Sequence, residues 1–396
     1  MNSRSKIQEE ISRMRFEDIY DQFSSGTLSS MEAAMILGIS ERTFLRKRRR
    51  FESEDFDGRC DLRMGKVSPH RAADEEVDLV TRLYAQRYRG FSVKHFHEFA
   101  RREHKLTRSY SWTKGALIRV GLVKKSTRGG KHRLRRERRA MVGMMLHQDG
   151  STHRWIPALD HNIDLIVTMD DADSRITSAF FVDEEGTMSS FRGLRETIEV
   201  YGLFCSFYTD RGSHYFFTPE AGGKVDKGRL TQVGRSLKQL GIQHISAYSP
   251  EARGRSERMF GTLQNRLPQE FELKGIKTIP EANAYLRDVY LPRHNEQFTV
   301  TPKEAKSAYT SWAGPGLENI LCVQEERKVQ NDNTVRYNGF VLQIPKNQYR
   351  EHYVRTTVKV HTHEDGSMSI FYGHMCLGQY NREGQLWQKD SQKVVA

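Results

Sequence analysis

Short apolar runs alternate with helix-like segments between residues 141 and 248 of this 396-residue chain. The apolar runs are typical of buried strands, whereas Met188–Tyr201 and Leu230–Leu240 repeat apolar residues at helical spacing. The order is strand, strand, strand, helix, strand, helix, strand, and a further helix follows residue 248. Turn residues at 171–174 separate the second run from the third and predict a hairpin. The pattern therefore predicts a central α/β domain.

Two aspartates end apolar strands of this pattern. Asp149 closes the run MVGMMLHQD and Asp210 closes LFCSFYTD. Open α/β sheets usually place their sites at the C-terminal ends of strands, so both carboxylates are candidates for one site. Glu257, on the helix after the last strand, is the third candidate. Oxygen ligands without Cys or a dense His cluster suit Mg²⁺ or Mn²⁺ and not zinc. Two such ions about 3.5–4 Å apart can activate an attacking oxygen and stabilise the leaving oxygen of a phosphodiester.

The helix that carries Glu257 is predicted from the stretch YSPEARGRSERMFGTLQNRL, residues 248–267. Ser249 can cap it and Pro250 can open it. Its buried stripe is predicted to be Phe260, Leu263 and Leu267. Glu257 is expected at the edge of that stripe and directed towards the protein body. Three arginines share the helix and either form salt bridges or contact phosphate: Arg253, Arg255 and Arg258.

Other residues compete for the same roles. Asp170 and Asp171 are alternative strand carboxylates, but they lie in a predicted turn, where Asp is common for conformational reasons. Glu251 is an alternative ligand, although it is better placed to complement the helix dipole. Trp155 is predicted to belong to the core. Three histidines flank the acids and either contact DNA or have structural roles: His147, His153 and His214.

Residues 1–70 are predicted to be a helix-turn-helix domain with a linker. Ser29 and Glu32 form a capping box, Gly38 breaks the helix, and Ser40 can cap a second helix that turns Phe44 inward. The second helix displays a dense set of basic residues, which favours DNA over a merely solvated face. These residues are Arg42, Arg46, Lys47, Arg48, Arg49 and Arg50.

Residues 71–137 are predicted to form a second helical DNA-binding domain with a basic linker. Ser92 and Ser111 can cap helices there. A three-helix bundle with a purely structural role is an interpretation nearly as good as a DNA-binding domain. Residues 124–139 contain nine Lys or Arg in sixteen positions, typical of a segment that orders on a phosphate backbone. The predicted contacts of this run are Lys124, Lys125, Arg128, Lys131, Arg133, Arg135 and Arg136.

The catalytic domain is predicted to span residues 138–314, with finishing helices at Asn283–Tyr290 and Pro302–Tyr309. Residues 315–396 are predicted to form a small antiparallel β-barrel. Its strongest signals are Asn338-Gly339 and Asp365-Gly366, which lie between alternating runs and predict hairpins.

Composition restricts the class of protein. Lys and Arg number 63 against 50 Asp and Glu, a formal charge of +13 that favours nucleic acid as a partner. No apolar run approaches 18 residues, so neither a membrane span nor a membrane partner is expected. The N-terminal residues lack the apolar core of a signal peptide. The four cysteines make no CxxC pair, which fits a reducing cytoplasm.

Three segments, HQDGSTHRW, FYTDRGSHY and residues 248–267, resemble those of insertion-sequence DDE transposases with a retroviral-type integrase core, in particular the ISNCY-type group. The resemblance covers essentially the whole chain. It implies an RNase H-like catalytic domain with a mixed sheet, in which Asp149, Asp210 and Glu257 form the catalytic, metal-binding triad. The 47-residue interval from Asp210 to Glu257 is longer than is common in the family, and an inserted loop at 218–228 accounts for the excess. The zinc-binding His/Cys module of retroviral integrases is absent from the sequence.

The resemblance implies a DNA transposase that binds the terminal inverted repeats of its element. Such an enzyme uses Mg²⁺ or Mn²⁺, with two ions expected, to cleave the 3′ end and transfer that strand to target DNA. It implies a homodimer or larger assembly in the bacterial cytoplasm, associated with the nucleoid and without a small-molecule cofactor. Two alternatives stay open: an RNase H-like nuclease or resolvase that cuts without joining, and a non-catalytic DNA-binding regulator derived from a transposase.

Overall fold

The computed structural model describes residues 3–53, 71–125, 137–219, 224–226, 228–247, 250–314 and 316–387. The chain forms two compact units, one extending to Val77 and the other beginning at Asp78. Among the described residues, no helix is both long enough and apolar enough to cross a membrane.

The described residues of the first unit include three complete helices. Ser29 and Glu32 form the predicted capping box, and Gly38 ends the second helix in the left-handed region at φ 69°. The Ser40 side chain accepts a backbone hydrogen bond in the first turn of the third helix, and Phe44 is completely buried. The predicted helix, glycine turn and helix are therefore confirmed as structure. The helices are α1 (Ser3–Ser24), α2 (Ser30–Leu37) and α3 (Glu41–Ser53).

Three further helices pack around the aromatic side chains of Tyr88, Phe96 and Phe99. They are α4 (Asp74–Gln86), α5 (Val93–Glu103) and α6 (Tyr110–Arg119). Ser92 caps α5 as predicted. The cap of α6 is Ser109 and not Ser111, because the helix begins at Tyr110 and the Ser109 side chain accepts from the backbone of the first turn. We call residues 78–123 the helical module.

A five-stranded sheet forms the centre of the second unit, in the order β3-β2-β1-β4-β5. Its strands are β1 (Leu146–His153), β2 (Ile163–Asp170), β3 (Ile176–Val182), β4 (Ser206–Thr209) and β5 (Gln243–Ser246). The first three strands pair antiparallel, while β4 runs parallel to both β1 and β5. The sheet is therefore mixed, as expected, and its order along the chain is the predicted one.

Helices cover both faces of this sheet. One face carries α7 (Thr187–Tyr201) and α8 (Gln232–Leu240). The other carries α9 (Pro250–Gln264), α10 (Leu267–Lys274), α11 (Ile279–Tyr285), a π-helical turn at 286–290 and α12 (Leu291–Phe298). The predicted stripe of Phe260, Leu263 and Leu267 is buried in this second core, although the helix breaks before Leu267.

The predicted helix at Pro302–Tyr309 is wrong. This segment is not helical: its backbone bends at residues 303–305, and Ser307 forms a parallel bridge to Val142. The amide of Ala308 donates to the Val142 carbonyl at 2.9 Å, and Thr310 bridges Leu203 just beyond. Its backbone groups are thus satisfied by distant strands, which local helical spacing does not reveal.

The C-terminal residues form two antiparallel sheets on a shared apolar core. A four-stranded sheet has the order β11-β10-β9-β6, and β7 pairs with β8. Both predicted hairpins are confirmed, at Asn338-Gly339 and at Asp365-Gly366. Pairing among the described strands does not close these sheets into the expected barrel. The strands are β6 (Val323–Lys328), β7 (Thr334–Tyr337), β8 (Phe340–Gln343), β9 (Thr357–Thr362), β10 (Met368–Tyr372) and β11 (Met375–Tyr380).

Candidate active site

Asp149 and Asp210 lie on neighbouring strands of the central sheet. The parallel ladder between β1 and β4 pairs Leu146 with Phe207 and His147 with Tyr208. Extending that register by two residues places Asp149 beside Asp210. Asp149 lies within β1, which continues to His153, so the expectation that it ends a strand is wrong. Asp210 directly follows β4, as expected.

The surroundings of Tyr215 show that the two aspartates share one electrostatic environment. Burial raises the pKa of the Tyr215 hydroxyl well above its ordinary value, and the negative charges of Glu185, Asp149 and Asp210 raise it further. The hydroxyl donates to the Gln148 side chain at 2.9 Å, directly beside Asp149. The Asp210 carboxylate accepts from the Gly212 amide at 2.8 Å, which fixes its rotamer. Both carboxylates are half-buried and therefore accessible to a ligand.

Glu185 is an acid near this pair that the sequence analysis missed. A Cβ atom on Gly150 would collide with the Glu185 carboxylate, so this carboxylate lies over the backbone next to Asp149. His214 Nε2 lies 3.4 Å from Glu185 Oε1. The available signals were a glycine directly after Asp149 and an acid just before α7, and both are common for ordinary conformational reasons. His214, a predicted flanking residue, is thus placed at the site.

Glu257 lies on the helix that faces these aspartates. Asp149 pairs with Val167, and Val167 shares a core with Phe260 of α9, so Asp149 is on the sheet face that α9 covers. Gln264 donates to Ser151 Oγ at 3.2 Å, two residues beyond Asp149. Glu257 precedes Gln264 by two helical turns, about 10 Å along the same side of α9.

The structure does not bring Glu257 into contact with the pair. Its side chain is exposed, contrary to the expectation that it is directed towards the protein body. Within the described ranges, no three His, Cys, Asp or Glu side chains are close enough together to hold a metal ion. Asp149 and Asp210 therefore form the assembled part of the candidate site.

Asp170 and Asp171, the alternative carboxylates, have structural partners. Burial raises the pKa of Asp170 to about 6, although backbone hydrogen bonds from Gly143 and Ala172 oppose this shift. Asp171 is fully buried, accepts from the Arg139 amide at 2.8 Å, and pairs with His147 Nε2 at 2.7 Å. These contacts hold the β2–β3 turn against β1 and the chain that precedes it.

The arginines of α9 differ in their surroundings. Arg255 pairs with Asp171, so one arginine of α9 forms a salt bridge, while Arg258 is exposed. Trp155 is fully buried, which confirms its assignment to the core, and His153 packs edge-on against it. Outside the described residues or side chains lie Ser249, Glu251, Arg253, Arg128, Lys131, Arg133, Arg135 and Arg136.

The basic residues of α3 are not equivalent. Arg42, Arg46 and Arg49 are exposed and recur at helical spacing on the face opposite Phe44. Arg48 pairs with Glu52 at 2.8 Å and lies over the Phe23 ring. Lys47 is exposed, with its ammonium 5.8 Å from the Phe16 ring, and Arg50 is half-buried. Lys124 and Lys125 are exposed after α6.

Comparisons with known proteins find two bacterial transposases. The chain is 28% identical over 364 residues to the putative transposase y4bF of Sinorhizobium fredii, covering 90% of this chain and 78% of the relative. It is 30% identical over 224 residues to the transposase for insertion sequence IS1202 of Streptococcus pneumoniae, covering 56% of this chain and 47% of the relative. The chain thus matches less than half the length of the second relative. No family model matches.

Among solved structures, similarity is found to retroviral integrases. The simian T-cell lymphotropic virus intasome in complex with a PP2A regulatory subunit aligns with a TM-score of 0.35 at 13% identity, covering 75% of this chain and 95% of that chain. The HTLV-2 integrase catalytic core with magnesium aligns with a TM-score of 0.28 at 16% identity, covering 38% of this chain and 91% of that chain. The resemblance to insertion-sequence transposases is confirmed by the sequence similarity to the two relatives.

Proposed function

We propose that this chain is a DNA transposase that cleaves the 3′ ends of a mobile element and joins them to target DNA. The observation that carries the proposal is the placement of Asp149 beside Asp210, on the sheet face covered by the Glu257 helix, in a chain similar to transposases. Water would attack the phosphodiester between the element and its flank and release a 3′ hydroxyl. That hydroxyl would then attack a target phosphodiester, with the target's own 3′ oxygen as leaving group and no covalent protein intermediate.

The side chains of the proposed triad fit a hard divalent cation. Asp149, Asp210 and Glu257 offer only oxygen donors, which suit Mg²⁺ or Mn²⁺. Two neighbouring carboxylates repel each other, and a bound cation would offset that repulsion. Two ions held by these side chains would activate the attacking oxygen and stabilise the leaving oxygen. Glu185 would add a negative charge behind Asp149.

We assign the binding of DNA to the positively charged elements of the chain. The turn between α2 and α3 would place the α3 face of Arg42, Arg46 and Arg49 against the terminal inverted repeats, as in helix-turn-helix proteins. The helical module, the basic run at 124–139 and the C-terminal sheets would contact end or target DNA. Joining two ends in one reaction requires at least a homodimer, and a DNA substrate places the enzyme at the nucleoid of the cell.

Neutralising the acids tests this function. Strand transfer on labelled end oligonucleotides with Mg²⁺ is expected to fall at least about 100-fold in Asp149→Asn, Asp210→Asn and Glu257→Gln, because several kcal/mol of transition-state stabilisation is lost. Glu272→Gln is the matched control, because Glu272 is exposed on the adjacent α10. Wild-type transfer by any one triad variant removes that residue from the triad.

The same assay separates the alternatives. Cleaved ends without a joined product from the wild-type chain would identify a nuclease or resolvase. Sequence-specific binding that needs no metal, with no cleavage, would identify a DNA-binding regulator.

A further inference from the structure

An ion pair between the half-buried Glu98 and the buried Arg266 joins the helical module to the helices that follow α9. The Glu98 carboxylate on α5 accepts from both terminal nitrogens of Arg266, at 2.7 and 3.0 Å. Gln297 on α12 donates to the same carboxylate at 2.6 Å. Arg266 is only 8% exposed, and its guanidinium lies 5.0 Å from the centre of the Phe298 ring. Both polar and apolar surfaces of Arg266 are therefore occupied.

A second contact, between His95 and Glu270, is fully buried and lies about one helical turn from the Glu98–Arg266 pair. His95 Nε2 lies 2.8 Å from the Glu270 carboxylate, and both side chains are almost completely inaccessible. Glu270 also accepts from Arg293 at 2.6 Å and from the Tyr285 hydroxyl. Burial lowers the pKa of His95, whereas the Glu270 carboxylate raises it. The ionised Glu270 can only accept, so His95 Nε2 is the donor. The charges and donors around Glu270 are thus matched within the protein.

Such contacts fix geometry more than they add stability. Removing a carboxylate and a guanidinium from water costs several kcal/mol each, and an apolar interface of similar size holds two elements together at least as well. A two-pronged arginine–carboxylate pair, in contrast, restricts the relative orientation of its two elements. The Glu98–Arg266 pair therefore restricts the orientation of α5 relative to the junction between α9 and α10.

Arg266 lies at the junction that follows the Glu257 helix. It is the residue before α10 and comes two residues after the end of α9. At the same end of α9, Gln264 donates to Ser151 of β1, the strand of Asp149. The C-terminal end of α9 is thus tied to the sheet on one side and to α5 on the other. Glu257 lies two turns before Gln264, the last residue of α9, and Arg266 follows that helix end by two residues.

We propose that Glu98 and Arg266 are positioning residues: their ion pair uses the helical module to set the orientation of α9 and, through it, of Glu257 relative to Asp149 and Asp210. The inference rests on the proposed function. It assigns to the helical module a role in organising the active site, in addition to any contact that it makes with DNA.

The test compares Glu98→Gln with Asp78→Asn, which removes a negative charge from an exposed position of the same module. For each full-length variant, the dissociation constant for end DNA and the single-turnover strand-transfer rate at saturating DNA are measured. Glu98→Gln should transfer strands about 10- to 100-fold more slowly, because displacements near 1 Å at a reacting centre have effects of that size. DNA affinity should stay unchanged, and Asp78→Asn should match the wild type in both measurements.

Two further measurements distinguish positioning from loss of folding. Amide hydrogen exchange in residues 258–264 should increase in Glu98→Gln and not in Asp78→Asn, while exchange in β1 and β2 stays at the wild-type level. Arg266→Lys keeps the charge but not the two-pronged geometry, so its rate should be reduced with the fold retained.

Three results for Glu98→Gln overturn the inference: a wild-type rate at saturating DNA, a defect confined to DNA affinity, or wild-type amide exchange in residues 258–264. If Glu98→Gln does not fold, a wild-type rate in Arg266→Lys overturns it equally. An inactive wild-type chain instead refutes the proposed function, so the two failures are distinguishable.

Discussion

At the scale of single residues, acids of the same type have different roles because they meet different donors. Asp171 is surrounded by a backbone amide, His147 and Arg255, and closes a turn. Asp149 and Asp210 stay half-buried at the sheet surface that α9 faces. Glu270 is the extreme case, since burial opposes its ionisation but hydrogen bonds from His95, Tyr285 and Arg293 lower its pKa to about 2.

The shifted pKa of Glu270 predicts a pH-dependent stability. A carboxyl group whose pKa in the folded state lies below its unfolded value stabilises the fold fully above the unfolded pKa, near 4.5, and loses that contribution as the pH falls towards 2. Glu270→Gln should therefore lower the free energy of unfolding by about 3 kcal/mol at pH 6. The difference from the wild type should shrink below pH 4.5, as measured by urea denaturation between pH 6 and pH 3.

The exposed Glu272 provides the control for this prediction. Glu272→Gln changes the same side chain on the same helix and should leave the unfolding curves of the wild type unchanged at every pH. A constant difference between Glu270→Gln and the wild type from pH 6 to pH 3 would contradict the assigned ionisation of Glu270.

At the scale of elements, the contact between α7 and the sheet depends on a missing side chain. A Cβ atom on Gly193 would collide with the amide of Gln148 and lie 3.0 Å from Thr168 Oγ1. Gln148 is buried, donates to Thr168 at 3.0 Å, and accepts from Tyr215. The close approach of α7 therefore maintains the hydrogen bonds of the residue next to Asp149.

Gly193→Ala should destabilise the second unit despite the better helix propensity of alanine. Propensity favours alanine by about 1 kcal/mol. Overpacking against Gln148 costs about 1–3 kcal/mol and should outweigh that gain. Gly261→Ala in α9 is the matched control, because a Cβ atom there meets nothing within 4 Å, and it should raise the melting temperature. A higher melting temperature for Gly193→Ala would show that Gln148 repacks without cost.

At the scale of the whole molecule, the formal charge of +13 predicts that the proposed binding to DNA weakens as salt increases. The excess of positive charge lies in the second unit, because residues 1–77 carry 14 Lys or Arg and 15 Asp or Glu, so composition alone does not locate a contact in the first unit. Within the first unit, the structure favours the α3 face of Arg42, Arg46 and Arg49 over the other basic residues of that helix.

Salt titrations of end-DNA binding can test this assignment. Each phosphate contact contributes about 0.9 to the slope of log affinity against log salt. Arg46→Gln should therefore reduce the steepness of the slope by about one. Lys47→Gln is the matched control on the same helix, about 100° away from Arg46, and should change the slope less. Equal slopes for the two variants would exclude a preferred DNA-binding face on α3.

Local patterns predicted much of the fold. Spacing and turn residues gave the order of strands and helices in the α/β domain, the capping box at Ser29 and both C-terminal hairpins. They failed at Pro302–Tyr309, where the backbone bonds to strands far away in the sequence, and they expected a barrel where the sheets stay separate. The hydrogen bonds of a turn or cap depend on neighbouring residues and can be predicted from them. Pairing between distant segments depends on the tertiary fold and cannot.

The sequence by itself determined that Asp149 and Asp210 follow the apolar cores of two strands and that Glu257 lies on the next helix. Only the tertiary structure decided that β4 lies parallel to β1, that Glu185 lies beside Asp149 and that Glu257 is exposed. It also joined Glu98 to Arg266 across 168 residues of sequence. The physical reason is that the spacing of apolar residues along the sequence indicates which side of a helix or strand is buried. The partner of a buried charge depends instead on how the elements pack against each other.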